Sequence, residues 1–304
     1  MAKSRSPRRQ RLKGRLALLA LRLVGSLPLS LNRALGTLLG WLGAWLPSEA
    51  LTISRINIGL CFPELAPAAQ AKLARAAMIE SGKASAEIAF LWQQPDKALP
   101  LVRAVEGDQA LRETLEDKRP AIILVPHLGC WEVLNFWLSN HFSLHAMFKP
   151  SGLDEVDALV KRGREHFGTT MYPATARGVV GLVRVLKREP VLTAILPDQV
   201  ADKGSGRFAP FFGHTAYTGT LSSKLIQQTG ARVFMACAFR LPGTRGFEIR
   251  FRDPDPAIYD EDIDQALQGL NRSVESLVRE APAQYLWSYK RFRRSDGVHR
   301  NPYK

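Results

Sequence analysis

Apolar and polar residues alternate along this chain on two length scales. Short runs of strand length recur between longer amphipathic stretches, and the run Ala121 to Val125 (AIILV) carries no polar residue. Such a run, ended by Pro126, is the pattern of a strand covered on both faces. Further strands are predicted at His145 to Phe148, Val191 to Leu196, Arg232 to Arg240 and Phe247 to Phe251. Helices are predicted near Glu132 to Ser139, then over Asp154 to Phe167, Gly178 to Lys187, Gly219 to Thr229 and Asp260 to Glu280. From about Ser48 to Gly107 the pattern reads as helical, with Ala71 to Leu91 rich in good helix formers. This order argues an α/β fold: a mixed, largely parallel sheet flanked by helices, with late strands antiparallel. Active residues are then expected at strand ends on one rim.

Two apolar stretches precede this body, Leu16 to Leu31 and Ala34 to Leu46. Arg22, Ser26, Pro28, Asn32 and Arg33 interrupt them, and a clean span needs about 20 apolar residues. A basic arm before an apolar run also imitates a signal peptide, but no small-x-small cleavage site closes it. A positive-inside bias keeps the N-terminus cytoplasmic, so one full crossing would put the body outside. A shallow helical membrane anchor is the expectation.

The 304 residues carry a formal net charge of +14. That value alone suggests a nucleic-acid binder. Yet residues 1–15 hold seven basic side chains and no acidic one, and Lys290 to Lys304 holds six against Asp296, so the two ends carry 12 of the 14 charges. The body is nearly neutral, which points away from a groove tracking phosphates and towards an anionic surface met by the tails. No nucleic-acid partner is expected. The three cysteines, Cys61, Cys130 and Cys237, are far apart and suggest neither a disulfide framework nor a zinc site. No GxSxG elbow, Walker loop, HExxH helix or GxGxxG turn occurs, so the chemistry is expected to need no metal and no cofactor.

Candidate chemistry lies just past the first apolar run, in PHLGCWE. His127 leaves the strand end, Gly129 allows a tight turn, and Glu132 opens the next helix. From there the carboxylate is expected to reach back, fix the tautomer of the imidazole and stabilise its cation, leaving His127 as a general base towards a hydroxyl. Elsewhere, Arg164 sits with Lys161 and Arg162 near a helix end, as a fork for phosphate or as a solvated basic helix terminus. Asp198 follows the strand at Val191 to Leu196 on the same expected rim, either orienting Arg164 or an acceptor sugar, or capping a turn. Phe211 and Phe212 are candidates to line an acyl channel, or to pack the core.

His-x-x-x-x-Glu after an apolar strand resembles the signature of the glycerolipid acyltransferase superfamily. HLGCWE is close to the HLGNWE form of the bacterial lipid A late acyltransferases, with Cys130 in place of Asn. RINIGLCFPEL, REHFG, LPDQ, PFFG and QYLWSYKRFR follow in the family's order, so the resemblance runs from about Leu16 to Arg294. It implies a glycerol-3-phosphate acyltransferase-like fold and transfer of a fatty acyl chain from acyl carrier protein to a hydroxyl of a phosphorylated glycolipid, a lipid A precursor. Backbone N–H groups near Gly129 would then face the reaction's oxyanion. The expected organisation is a disordered basic arm over 1–15, a membrane-anchoring helical segment over 16–47, an acyltransferase domain over 48–294 and a basic tail over 295–304. Anionic inner-membrane lipids are the expected surface, on the cytoplasmic face. Acylation of another membrane lipid, and a non-catalytic basic binding protein, are the alternatives.

Overall fold

A computed structural model describes residues 7–304, with side chains from residue 12 onward. The two N-terminal apolar stretches form α1 (Pro7–Gly25) and α2 (Leu29–Trp45), separated at Pro28. Helix α1 therefore begins inside the segment expected to be a disordered arm, while residues 1–6 of that arm lie outside the described residues. Two more helices follow, α3 (Glu49–Cys61), whose first turn is capped by the Ser48 hydroxyl accepting from the Leu51 N–H, and α4 (Pro67–Gln93), opened by proline. The body continues as β1 (Val102–Glu106), α5 (Gln109–Glu116), β2 (Ala121–Leu124), α6 (Trp131–His141), β3 (Leu144–Phe148), α7 (Asp154–Glu165), β4 (Thr170–Pro173) and α8 (Ala176–Leu186). After β5 (Leu192–Ile195) come β6 (Gly206–Phe211), β7 (His214–Gly219), α9 (Leu221–Thr229), β8 (Arg232–Arg240), β9 (Phe247–Arg252) and α10 (Ile263–Glu280).

Seven strands form one sheet in the order β1-β9-β8-β2-β5-β3-β4, parallel at every pairing except β8 with β9. The mixed, largely parallel sheet flanked by helices is thus present, and the late strand β9 is antiparallel to β8 as its place after a short connection requires. Strand β2 lies at the centre, and its residues alternate between two cores. Ile122 and Leu124 face a cluster with α3, α8, α9 and α10, while Ala121 and Ile123 face one with α5 and α6. Four short strands are not legible in the sequence pattern. Strand β1 sits in a stretch read as helical, β4 is only four residues long, and β6–β7 is a separate antiparallel hairpin.

The N-terminal helices are built inside out. In α2 the buried residues are Asn32, Arg33, Gly36, Gly40 and Ala44, whereas Leu31, Leu38, Leu39, Trp41, Leu42 and Trp45 are exposed. Leu12, Leu16, Leu19 and Leu23 of α1 are exposed as well. The inner face is small because α2 crosses α4 at backbone contact. A Cβ on Gly82 would lie 2.2 Å from the Gly36 carbonyl, and one on Gly40 would lie 2.6 Å from the Ile79 Cα. Among the described residues no helix is long and apolar enough to cross a membrane.

Candidate active site

Parallel pairing in register puts two neighbouring strand ends at one level. Leu124 of β2 pairs with Ile195 of β5, and three residues beyond each stand His127 and Asp198. Their side chains meet there. The imidazole Nδ1 and Asp198 Oδ1 are 2.7 Å apart, and Asp198 Oδ2 accepts the His127 backbone N–H at 2.9 Å. Asp198 is 3% exposed, so the carboxylate has left water for these bonds. Burial works to raise its pKa, but the charge of the His127 imidazolium and the hydrogen bonds from the ring and backbone outweigh it and hold the carboxyl below the usual range.

A carboxylate on Nδ1 makes that nitrogen the donor and leaves the Nε2 lone pair facing outward. The Gln199 side-chain amide donates to Nε2 at 3.0 Å, in the position where a substrate hydroxyl would donate. The ring stands edge-on to Trp131, with centroids 5.0 Å apart, and the side chain is 13% exposed. Such a ring can act as a general base once the Gln199 amide gives way to a hydroxyl. The shape of the loop depends on Gly129, whose φ is +63° and whose Cβ would fall 2.1 Å from the Ala238 carbonyl, so only glycine fits.

Glu132 does not orient His127. It is fully buried in the first turn of α6 and accepts two hydrogen bonds from Arg164, one from Nε at 3.1 Å and one from Nη2. An in-register neighbour reaches the imidazole, while the next helix turns Glu132 towards α7. Burial works to lower the Arg164 pKa, and the Glu132 charge and hydrogen bonds more than reverse this. Asp198, in turn, holds neither Arg164 nor an open position.

Two other expectations are corrected. The backbone N–H groups around Gly129 are already used, Gly129 donating to the Gln284 carbonyl at 3.1 Å and Cys130 to that of Ala238 at 2.9 Å, so they are not free oxyanion donors. Phe211 and Phe212, expected to line an acyl channel or to pack the core, do the latter. Phe212 packs on Phe62 at 5.3 Å and Phe211 on Phe212 at 4.9 Å, both buried in the core, because Phe212 and Gly213 form the two-residue turn of the β6–β7 hairpin, both at positive φ. An apolar cavity of about 710 Å³ lies elsewhere, among α1, α2, α4 and α7. Ala20, Leu21, Gly82, Ala86 and Leu153 line it, and Ser288 borders it two residues after Leu286, whose N–H bonds the His127 carbonyl at 3.0 Å. Cys130 is buried behind the loop, and burial pushes its thiol pKa far up, which makes it a filler and not a nucleophile.

An acid–imidazole pair on the carboxyl rim of an α/β sheet can take a proton from a hydroxyl placed at its outer nitrogen. Residues 3–294 match the family described as bacterial lipid A biosynthesis acyltransferase, and the chain belongs to that family. It is therefore an acyltransferase. It is 26% identical over 261 residues to the lipid A biosynthesis palmitoleoyltransferase of Escherichia coli, covering 85% of this chain and 84% of that one. It is also 25% identical over 278 residues to the lauroyltransferase of the same organism, covering 91% and 90%, and 26% identical over 272 residues to its myristoyltransferase, covering 89% and 82%.

Proposed function

We propose that this protein moves a fatty acyl chain from the thioester of acyl carrier protein to the hydroxyl of a 3-hydroxyacyl chain on a phosphorylated lipid A precursor. The observation that carries the reading is the His127–Asp198 pair, whose Nε2 faces the rim on the Gln199 side chain that a substrate hydroxyl would displace. In the reaction, Nε2 takes the hydroxyl proton as the oxygen attacks the thioester carbon. The tetrahedral intermediate then collapses with cleavage of the C–S bond, and the imidazolium returns its proton to the departing thiolate. Asp198 holds the tautomer and stabilises the imidazolium, with no covalent enzyme intermediate. Arg164 spends Nε and Nη2 on Glu132, and its remaining nitrogen is assigned to a substrate phosphate oxygen. The apolar cavity beside Ser288 takes the acyl chain in place of the phenylalanine pair. The names of the relatives, which differ in the chain transferred, agree with an apolar slot of this kind.

The same reading puts the protein on the cytoplasmic face of the inner membrane. Leu16, Leu19 and Leu23 of α1 and Leu31, Leu38, Trp41 and Trp45 of α2 supply an apolar face without a span, suited to shallow insertion. The basic residues of the N-terminal segment add about 1 kcal/mol each near an anionic surface. The test is purified protein given lauroyl-acyl carrier protein or lauroyl-coenzyme A with a lipid A precursor or a lysophospholipid, products weighed by mass spectrometry. One added acyl mass on the lipid A precursor, from the carrier-protein donor, is expected; acylation of lysophospholipid alone would contradict the reading.

A further inference from the structure

Glu87 of α4 is completely buried and accepts from two guanidinium groups. Arg33 of α2 donates through Nε at 2.6 Å, and Arg240, at the end of β8, through Nε at 2.8 Å and Nη2 at 2.6 Å. Arg240 Nη1 also reaches Glu80 at 2.7 Å, and Glu80 pairs with Lys83 at 2.7 Å. Burying charges roughly breaks even against packing apolar groups in the same space, so stability alone does not call for such a cluster. The remaining donors show what it holds. Arg240 Nη2 lies 3.4 Å from the Gly129 carbonyl, two residues beyond His127. The Arg240 backbone N–H and carbonyl are both bonded by the Gln284 side chain, at 2.8 and 3.0 Å, and the Gln284 carbonyl takes the Gly129 N–H at 3.1 Å. Gly129 is thus gripped at its carbonyl and its N–H by one unit. Arg33 instead spends its other nitrogens on the carbonyls of Gly243 and Gly246, in the β8–β9 turn.

We infer that Arg240, anchored by Glu87, is a positioning residue that sets the loop carrying His127 for acyl transfer. The inference rests on His127 as the base, and misplacing a reacting group by about 1 Å costs on the order of 100-fold in rate. Lysine at 240 keeps the charge but cannot span Glu87, Glu80 and Gly129 together.

The test compares Arg240→Lys with Arg33→Lys, which weakens an ion pair on the same Glu87 but ends on the β8–β9 turn. Expected for Arg240→Lys is a fall in kcat of about 10–100-fold, with KM for the acyl donor within twofold of wild type and a cooperative thermal transition retained. Arg33→Lys is expected to shift the transition to a similar degree with kcat within twofold. If Arg240→Lys does not fold, the isosteric Glu87→Gln takes its place with the same split expected. Wild-type kcat in the folded variant, or an equal fall of kcat in both arginine variants, overturns the inference, since a mere brace would act through stability alike on either side. Failure of the base assignment is read separately, from His127→Ala.

Discussion

The rim of the sheet and the N-terminal helical layer both bury carboxylates, and they use them in opposite ways. At the rim, Asp198 is bonded to an imidazole whose far nitrogen meets the exposed Gln199 amide, so the chemistry proposed for that nitrogen rests on one buried charge. In the helical layer, Glu87 is closed on both sides by Arg33 and Arg240. The apolar residues reverse as well. In α10 the sequence puts Ala266, Leu267, Leu270, Val274, Leu277 and Val278 inward, whereas α2 turns its leucines and tryptophans outward and its charge inward. A buried acid acts through the group its partner turns to the surface, and an exposed apolar face implies a neighbour that is not water.

The largest effect is expected at the rim imidazole: His127→Ala should lower acyl transfer by about 10²–10⁴-fold with the fold intact, measured as turnover on protein with an unchanged circular dichroism spectrum. Turnover near wild type would remove the rim from the chemistry. Next is the inward face of α10, where Leu270→Ala should cost about 2–5 kcal/mol in urea unfolding, because it deletes a fully buried side chain.

The acid side offers a smaller, signed effect. Asp198 is held below its ordinary pKa when folded, so its ionised form contributes stability that is full above about pH 4 and lost as pH falls through the lower folded value. The stability gap between wild type and Asp198→Asn should therefore narrow below about pH 4 in acid titrations, and a gap that widens there would reverse the assignment. Smallest of all is the outward face of α2. Leu38→Ser with Leu42→Ser should change stability in water by only about 0.5 kcal/mol per site, yet lower partitioning onto anionic vesicles. Unchanged vesicle binding would leave the apolar face without its proposed partner.

The sheet was legible because its inner strands are short apolar runs between amphipathic helices, a pattern that period and length resolve. Strand β1 was hidden by the polar residues Arg103 and Glu106 of an edge strand, and β6–β7 by aromatic residues that look like a binding surface until Phe212 is found in the turn. His127 and its rim could be read from the strand end. Its partner could not be chosen from spacing along the chain, because Glu132 is five residues away and Asp198 is 71. The signal was the equal offset of His127 and Asp198 past two strands, which becomes decisive only when β2 and β5 are known to be neighbours in register. Arg240 gives no signal, ending an apolar strand as a solvated arginine does.

If Asp198, and not Glu132, prepares His127, the turnover of Asp198→Asn shows it. A neutral amide of the same shape cannot stabilise the imidazolium, so kcat should fall by about 10²–10⁴-fold while the protein still unfolds cooperatively. Glu132→Gln, measured alongside, should instead lose about 3–5 kcal/mol of stability by leaving Arg164 uncompensated. Asp198→Asn turning over at the wild-type rate would mean that His127 needs no buried carboxylate.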